Sequence, residues 1–173
     1  MTGGAPRPTR RAVLALPVLL ALPRPVLARA AAQPVGAYEE LLAEEHAAIH
    51  LYGVLAPRLP ESLRDAARAA FDDHRRHRDQ LVAAIQAAGG TPPPPRLSYA
   101  LPAPVPTQAA ARALAVRIED SLALRWHAAL ADAPPTERVA VATALGDECV
   151  HLTTYRLAAG VDAAQAAPPF PGR

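Results

Sequence analysis

Thr91-Pro92-Pro93-Pro94-Pro95-Arg96-Leu97-Ser98-Tyr99-Ala100-Leu101-Pro102-Ala103-Pro104-Val105-Pro106 divides this 173-residue chain into two helical halves. Its prolines lack backbone donors and fix φ, so the stretch cannot be helix and favours an extended conformation. At about 3.1 Å per residue, such a segment runs the length of a helix of ordinary size. Apolar residues recur at helical spacing on both sides of it, and no strand pattern is convincing.

Working outward, four helical segments emerge. The first runs from about Gly36 to Ala56, with Tyr38, Leu41, Leu42, Ile49, Tyr52 and Leu55 on one stripe. Pro57 and Pro60 stop it. The second runs from about Glu61 to Ala88 on Leu63, Ala67, Phe71, Leu81 and Ile85, and ends at Gly89-Gly90. The third starts near Thr107, carries Leu114, Ala115, Ile118, Leu122 and Trp126 inward, and ends before Pro134-Pro135. Thr136 is placed to cap the fourth, whose periodicity lasts to Gly160. The short connections make two antiparallel hairpins. The long connection at residues 89–106 lets the second and third helices run parallel, the single-crossover arrangement of four-helix bundles.

Glu148-Cys149-Val150-His151 breaks the apolar pattern of the fourth segment. A carboxylate and an imidazole three residues apart project from one helical face, here shared with Val141, Leu145, Leu152 and Tyr155. Buried there, they need partners. Residue counting supplies them. Glu45 lies 14 residues before Leu59 in the first turn, and His74 lies 15 after it. Glu119 lies 15 residues before Pro134 in the second turn, and Glu148 lies 14 after it. The parallel crossover brings His74 and Glu119 to similar depth. Glu45, His74, Glu119 and Glu148 therefore share one layer, with His77 and His151 a turn along. Carboxylates converging without a basic residue would repel, and divalent metal ions resolve that. Mixed oxygen and nitrogen ligation suits iron, manganese or zinc.

The residue pattern also resembles a small bacterial ferritin-like domain family of unknown function. The resemblance covers roughly residues 37–159. It rests on Glu45-His46-Ala47-Ala48-Ile49-His50-Leu51-Tyr52-Gly53, His74-Arg75-Arg76-His77-Arg78-Asp79, Tyr99-Ala100-Leu101-Pro102-Ala103-Pro104-Val105 and Ile118-Glu119-Asp120. It implies an all-α ferritin-like four-helix bundle. It also implies a di-iron or di-manganese site ligated by Glu45, Glu119, Glu148, His77 and His151. One position departs: His74 stands where Glu-x-x-His would place a bridging carboxylate, so mononuclear and zinc-binding alternatives stay open.

Each residue also has a plainer reading. Glu148 and His151 can form a hydrogen-bonded core pair without metal. His74 and His77 flank Arg75, Arg76 and Arg78, so the segment can be a solvated basic face, with His74 pointing inward more securely than His77. His46 and His50 lie beside the apolar stripe and are expected as outer partners of the site or as a surface pair. Tyr52 and Tyr155 are expected to pack around the site. Asp73 and Glu44 are expected to face solvent, and Cys149 to be buried and inert.

Length and charge bound the rest. The chain is long enough for one domain with a proper core. All 18 basic residues are Arg, and five of them (7, 10, 11, 24 and 29) precede residue 31, where no acid occurs. The remainder holds 13 Arg against 16 acids, a net charge of −3, so no nucleic-acid partner is expected. Residues 1–30 read as a twin-arginine-type export signal, with Thr9-Arg10-Arg11-Ala12-Val13-Leu14, an apolar run to Leu22 and Ala28-Arg29-Ala30 for cleavage. Residues 31–36 are then a linker, 37–160 the bundle and 161–173 a loose tail. The mature form is expected not to span a membrane and to reside in the periplasm, cell envelope or outside the cell. Its Ala-rich surfaces suit a homodimer. The expected function is binding of one or two transition-metal ions, with oxidase or peroxide-scavenging chemistry as the catalytic option. The alternative is a metal-free structural or interaction module of the cell envelope. Iron storage in a cage is a weaker third.

Overall fold

The computed structural model describes residue 1 and residues 35–167. Four long helices carry the fold: α1 (Val35–Leu55), α2 (Arg64–Ala87), α3 (Gln108–Asp132) and α4 (Arg138–Ala158). A short α5 (Ala163–Ala166) follows. Two single 3-10 turns, Ala56–Arg58 and Glu61–Leu63, link α1 to α2 through Pro57 and Pro60. No strand occurs among the described residues.

α1 packs against α2 and α3, α3 packs against α4, and the α2–α4 seam is thinner. Side-chain pairs establish the directions. Glu40 meets Arg125 and Tyr52 meets Glu119, so α1 and α3 are antiparallel. Asp73 meets His151 and Arg76 meets Asp147, so α2 and α4 are antiparallel as well. The crossover leaves α2 and α3 parallel, completing the ferritin-like topology.

The core is built from Leu41, Leu42, Leu55, Leu59, Ile85 and Leu122, each buried, with Trp126 and Tyr52 beside them. Each such aliphatic side chain contributes about 1.5–3 kcal/mol on burial. The expected stripes shift by a residue in places. Ala48 is buried where Ile49 was expected, and Phe71 and Leu145 are only half-buried.

The helix ends follow local chemistry. Thr107 caps α3, its hydroxyl oxygen accepting from the Ala110 N–H at 3.1 Å. Thr136 does not cap α4. The chain turns there through Glu137 N–H to Pro134 O at 2.9 Å, and Glu137 precedes the helix without a side-chain cap. α2 and α4 end alike. Gly89 donates to Gln86 O and Gly90 to Ile85 O, while Gly160 donates to Leu157 O and Val161 to Arg156 O. Gly89 and Gly160 adopt φ of 80° and 85°, the left-handed conformation that this reversal requires.

Two boundaries differ from expectation. Val35, assigned to a linker, is already helical, one residue before the expected start at Gly36. The first part of the tail is ordered: Asp162 caps α5 through Ala164 N–H at 2.9 Å, and Ala166 is fully buried. The start of the tail thus has a local cap and an apolar anchor, which its proline content concealed. The proposed export signal lies outside the described residues beyond Met1, as do the last residues of the tail. No described helix is long and apolar enough to cross a membrane.

Replacing Gly89 by Ala should destabilise the protein by about 1–2 kcal/mol, because a Cβ disfavours the left-handed conformation. Urea unfolding checks this. An unchanged midpoint would mean that the α2 terminus does not depend on Gly89.

Candidate metal centre

Three carboxylates and three imidazoles meet mid-bundle: Glu45, Glu119 and Glu148 are fully buried, as is His74, with His77 at 1% and His151 at 8% exposure. Each helix places its members by simple spacing. α1 brings Glu45, α2 brings His74 and His77 one turn apart, α3 brings Glu119, and α4 brings Glu148 and His151 one turn apart. His77 is thus no edge residue. The arginines around it leave the helix on other sides, because 3.6 residues per turn separates Arg75, Arg76 and Arg78 from the inward face.

His74 is central. Its Nδ1 lies 3.0 Å from Glu45 Oε2 and 3.5 Å from Glu148 Oε1, and its Nε2 lies 3.4 Å from Glu119 Oε1. His77 Nδ1 lies 3.1 Å from Glu148 Oε1 and 3.5 Å from Glu45 Oε1. His151 Nδ1 lies 3.4 Å from Glu119 Oε2.

The outer nitrogens of the last two rings face other carboxylates. His77 Nε2 is 3.2 Å from Asp147 Oδ2, and His151 Nε2 is 3.1 Å from Asp73 Oδ2. Such an outer carboxylate holds the proton on Nε2 and leaves the Nδ1 lone pair facing inward. In the neutral rings, those lone pairs meet carboxylate oxygens, acceptor against acceptor. A cation between them, or protonation of the rings, removes the conflict.

Sequence reasoning missed Asp73 and Asp147, and placed Asp73 in solvent. Each immediately precedes an inward residue, so it sits at the rim of the inward face, a signal visible only once that face is known. The α1–α3 side is closed by two donors. Trp126 Nε1–H donates to Glu45 Oε1 at 2.8 Å, and the Tyr52 hydroxyl donates to Glu119 Oε1. Tyr155 packs beside Tyr52 at 6.3 Å between ring centroids, with its hydroxyl unpartnered. His46 and His50 do not join the site. His46 lies beside the backbone at Pro93, and the exposed His50 ring lies 5.3 Å from the Tyr99 ring, so both face the crossover. Their spacing from Glu45 turns them off the inward stripe. Cys149 is half-buried rather than buried.

The donor set fits metal ions. Glu45, His74, His77 and Glu148 each offer one atom within 4.8 Å of the others, and so do His74, Glu119, Glu148 and His151. Ligands about 2.1 Å from a shared ion stand roughly 3.4 Å apart in a tetrahedron, close to the separations above. Glu119 Oε2, Glu148 Oε2 and His151 Nδ1 are buried without hydrogen-bond partners. The two groups share His74 and Glu148. Glu148 has two oxygens to share between them. A neutral His74 has one lone pair, so it can ligate on one side and donate a hydrogen bond on the other.

This geometry defines an all-α ferritin-like bundle with a Glu/His cluster in its core. The chain belongs to a family described as a domain of unknown function, DUF4439, whose model matches residues 37–173. It is similar to the crystal structure of a conserved hypothetical protein from Mycobacterium tuberculosis, at 33% identity and a TM-score of 0.70, covering 80% of this chain and 97% of that one. A second solved structure, described as ferritin-like, diiron-carboxylate proteins from Bacillus anthracis, shares the fold at 19% identity and a TM-score of 0.60, covering 72% and 94%. No curated protein matches.

Without metal, the cluster holds protons unequally. Burial would lower His77, but hydrogen bonds to Glu148 and Glu45 outweigh it and raise the ring to about 9. Burial, helped by the Glu119 charge, raises Glu148 to about 7 against the pull of His74 and His77. Burial also disfavours charge on Glu119 and Glu45. The imidazoles facing them, His151 and His74 at Glu119 and His74 and His77 at Glu45, nevertheless hold both below the usual carboxylate range.

The His77 contribution to stability is complete below about 6.5 and is lost as pH rises through about 9. The folded state also favours the protonated Glu148, so deprotonation up to about 7 weakens the fold further. With chelator present, the melting temperature should therefore fall between about pH 6 and pH 9, as differential scanning fluorimetry at matched ionic strength would show. A flat or rising profile would contradict this protonation pattern.

Proposed function

We propose that this protein is an exported ferritin-like bundle that binds one or two transition-metal ions in its core. One observation carries the reading: His77 and His151 are anchored by Asp147 and Asp73 with Nδ1 turned inward, onto carboxylates whose remaining oxygens lack partners. Glu45, His77 and one oxygen of Glu148 would hold one ion, and Glu119, His151 and the other Glu148 oxygen a second, with the single lone pair of His74 given to one of the two. Iron or manganese bound there would supply redox chemistry, with oxidase or peroxide-scavenging activity as the reading for a reaction. Zinc would be retained as a structural ion. The diiron-carboxylate description of the Bacillus anthracis structure supports iron as the first metal to test. The export reading rests on Thr9-Arg10-Arg11-Ala12-Val13-Leu14 and Ala28-Arg29-Ala30.

Elemental analysis of protein purified without added metal tests this reading. The wild type should carry on the order of one to two ions per chain, and Glu119→Ala and Glu148→Ala should each lose most of them. Less than about 0.2 ion per chain, unaltered by either substitution, would refute it.

A second reading draws on the same cluster. Three imidazoles facing three carboxylates can balance their own charge as imidazolium–carboxylate pairs, leaving a metal-free structural or interaction module of the cell envelope. In that case chelator should leave the melting temperature unchanged, and Glu148→Leu should be neutral or stabilising. A metal centre requires both to lower stability.

A further inference from the structure

The cluster is sealed unevenly. On the α1–α3 side, Trp126 and Tyr52 are 2% and 1% exposed and hydrogen-bonded to Glu45 and Glu119. On the α2–α4 side, exposure rises outward in steps. His151 is 8% exposed, the side chains of Asp73 and Asp147 are 24% and 29% exposed, and that of Arg76 is 46% exposed. An ion passing between solvent and the imidazoles would cross this edge.

Arg76 stands across it. One guanidinium nitrogen pairs with Asp73 on its own helix, and the other donates to Asp147 Oδ2 on α4 at 2.7 Å. These are the two carboxylates that anchor His151 and His77. A single planar fork thus ties together the outer anchors of both halves of the cluster and bridges the seam.

We propose that Arg76 is the latch of the metal centre: its guanidinium closes the α2–α4 edge and sets the rates at which a divalent transition-metal ion enters and leaves. The proposal rests on the reading of the cluster as a metal centre. With the fork in place, a positive charge occupies carboxylate oxygens that an incoming cation would otherwise meet first, and it repels that cation. The same contacts hold Asp73 and Asp147 against the imidazoles, so a ligand ring cannot swing outward to release its ion. Arg76 is exposed enough to rotate away without disturbing the core. It is a positioning residue, because it acts on the ligands through the two aspartates.

The full folded chain, freed of metal and given Co(II) alone, provides the test. Trp126 is the only tryptophan, and its ring lies 5.4 Å from that of His77, so its emission reports occupancy alongside Co(II) absorption. Stopped-flow mixing would measure uptake, and mixing with excess EDTA would measure release. Arg76→Ala should speed both by about tenfold or more, with a smaller change in equilibrium affinity. Arg76→Lys should fall between Arg76→Ala and wild type, because an ammonium cannot span both carboxylates. Added salt should quicken release from wild type and leave Arg76→Ala unaffected. An arginine that merely braces the seam would lower the melting temperature of Arg76→Ala and leave both rates alone below it. Unchanged or slower rates in Arg76→Ala, with Co(II) binding intact in wild type, would overturn the latch alone. Failure of wild type to take up Co(II) would overturn the latch together with the metal centre.

Discussion

Burying three carboxylates and three imidazoles in one layer is the constraint around which this bundle is arranged. An unpaired charge in that interior would be costly, so every member must find an opposite charge, a donor or a metal ion. The surrounding side chains answer that demand. Trp126 and Tyr52 donate from the α1–α3 side, while Asp147 and Asp73 accept from the outer nitrogens of His77 and His151. The aliphatic core lies along the helices on either side of the layer, which leaves the polar groups one shared depth.

The crossover explains why this depth is common to all four helices. Two hairpins each match a pair of residues equidistant from a turn, Glu45 with His74 and Glu119 with Glu148. Nothing within a hairpin aligns one pair with the other. The extended prolines do that by returning the chain to the end at which α2 began, so that α2 and α3 descend together and His74 meets Glu119. His46 and His50 turn toward this crossover at Pro93 and Tyr99, helping to seat it instead of serving the core.

The imidazole of His74 limits what the layer can share. A carboxylate offers an oxygen to each of two ions, whereas a neutral imidazole offers one lone pair. That leaves Glu148 as the carboxylate common to both possible ligand groups. The two halves are joined again at the surface, where Arg76 reaches both aspartates. The inner connection runs through groups that would ligate, and the outer one through groups that orient them.

Much of this was legible in the chain. Helical periodicity, proline punctuation and equal counting from the two turns determined four helices, their directions and the meeting of Glu45, His74, Glu119 and Glu148, because those features depend on spacing along one dimension. The start of the third helix near Thr107 was readable for the same reason, whereas the cap expected at Thr136 failed because the two prolines before it carried the turn onward to Glu137. Only the tertiary structure decided which residues at the rim complete the site. Asp73, Asp147 and Arg76 look like ordinary surface charges at helical spacing. Their roles depend on the rotation of α2 against α4 about their axes, an angle of packing that residue counting along either helix does not contain.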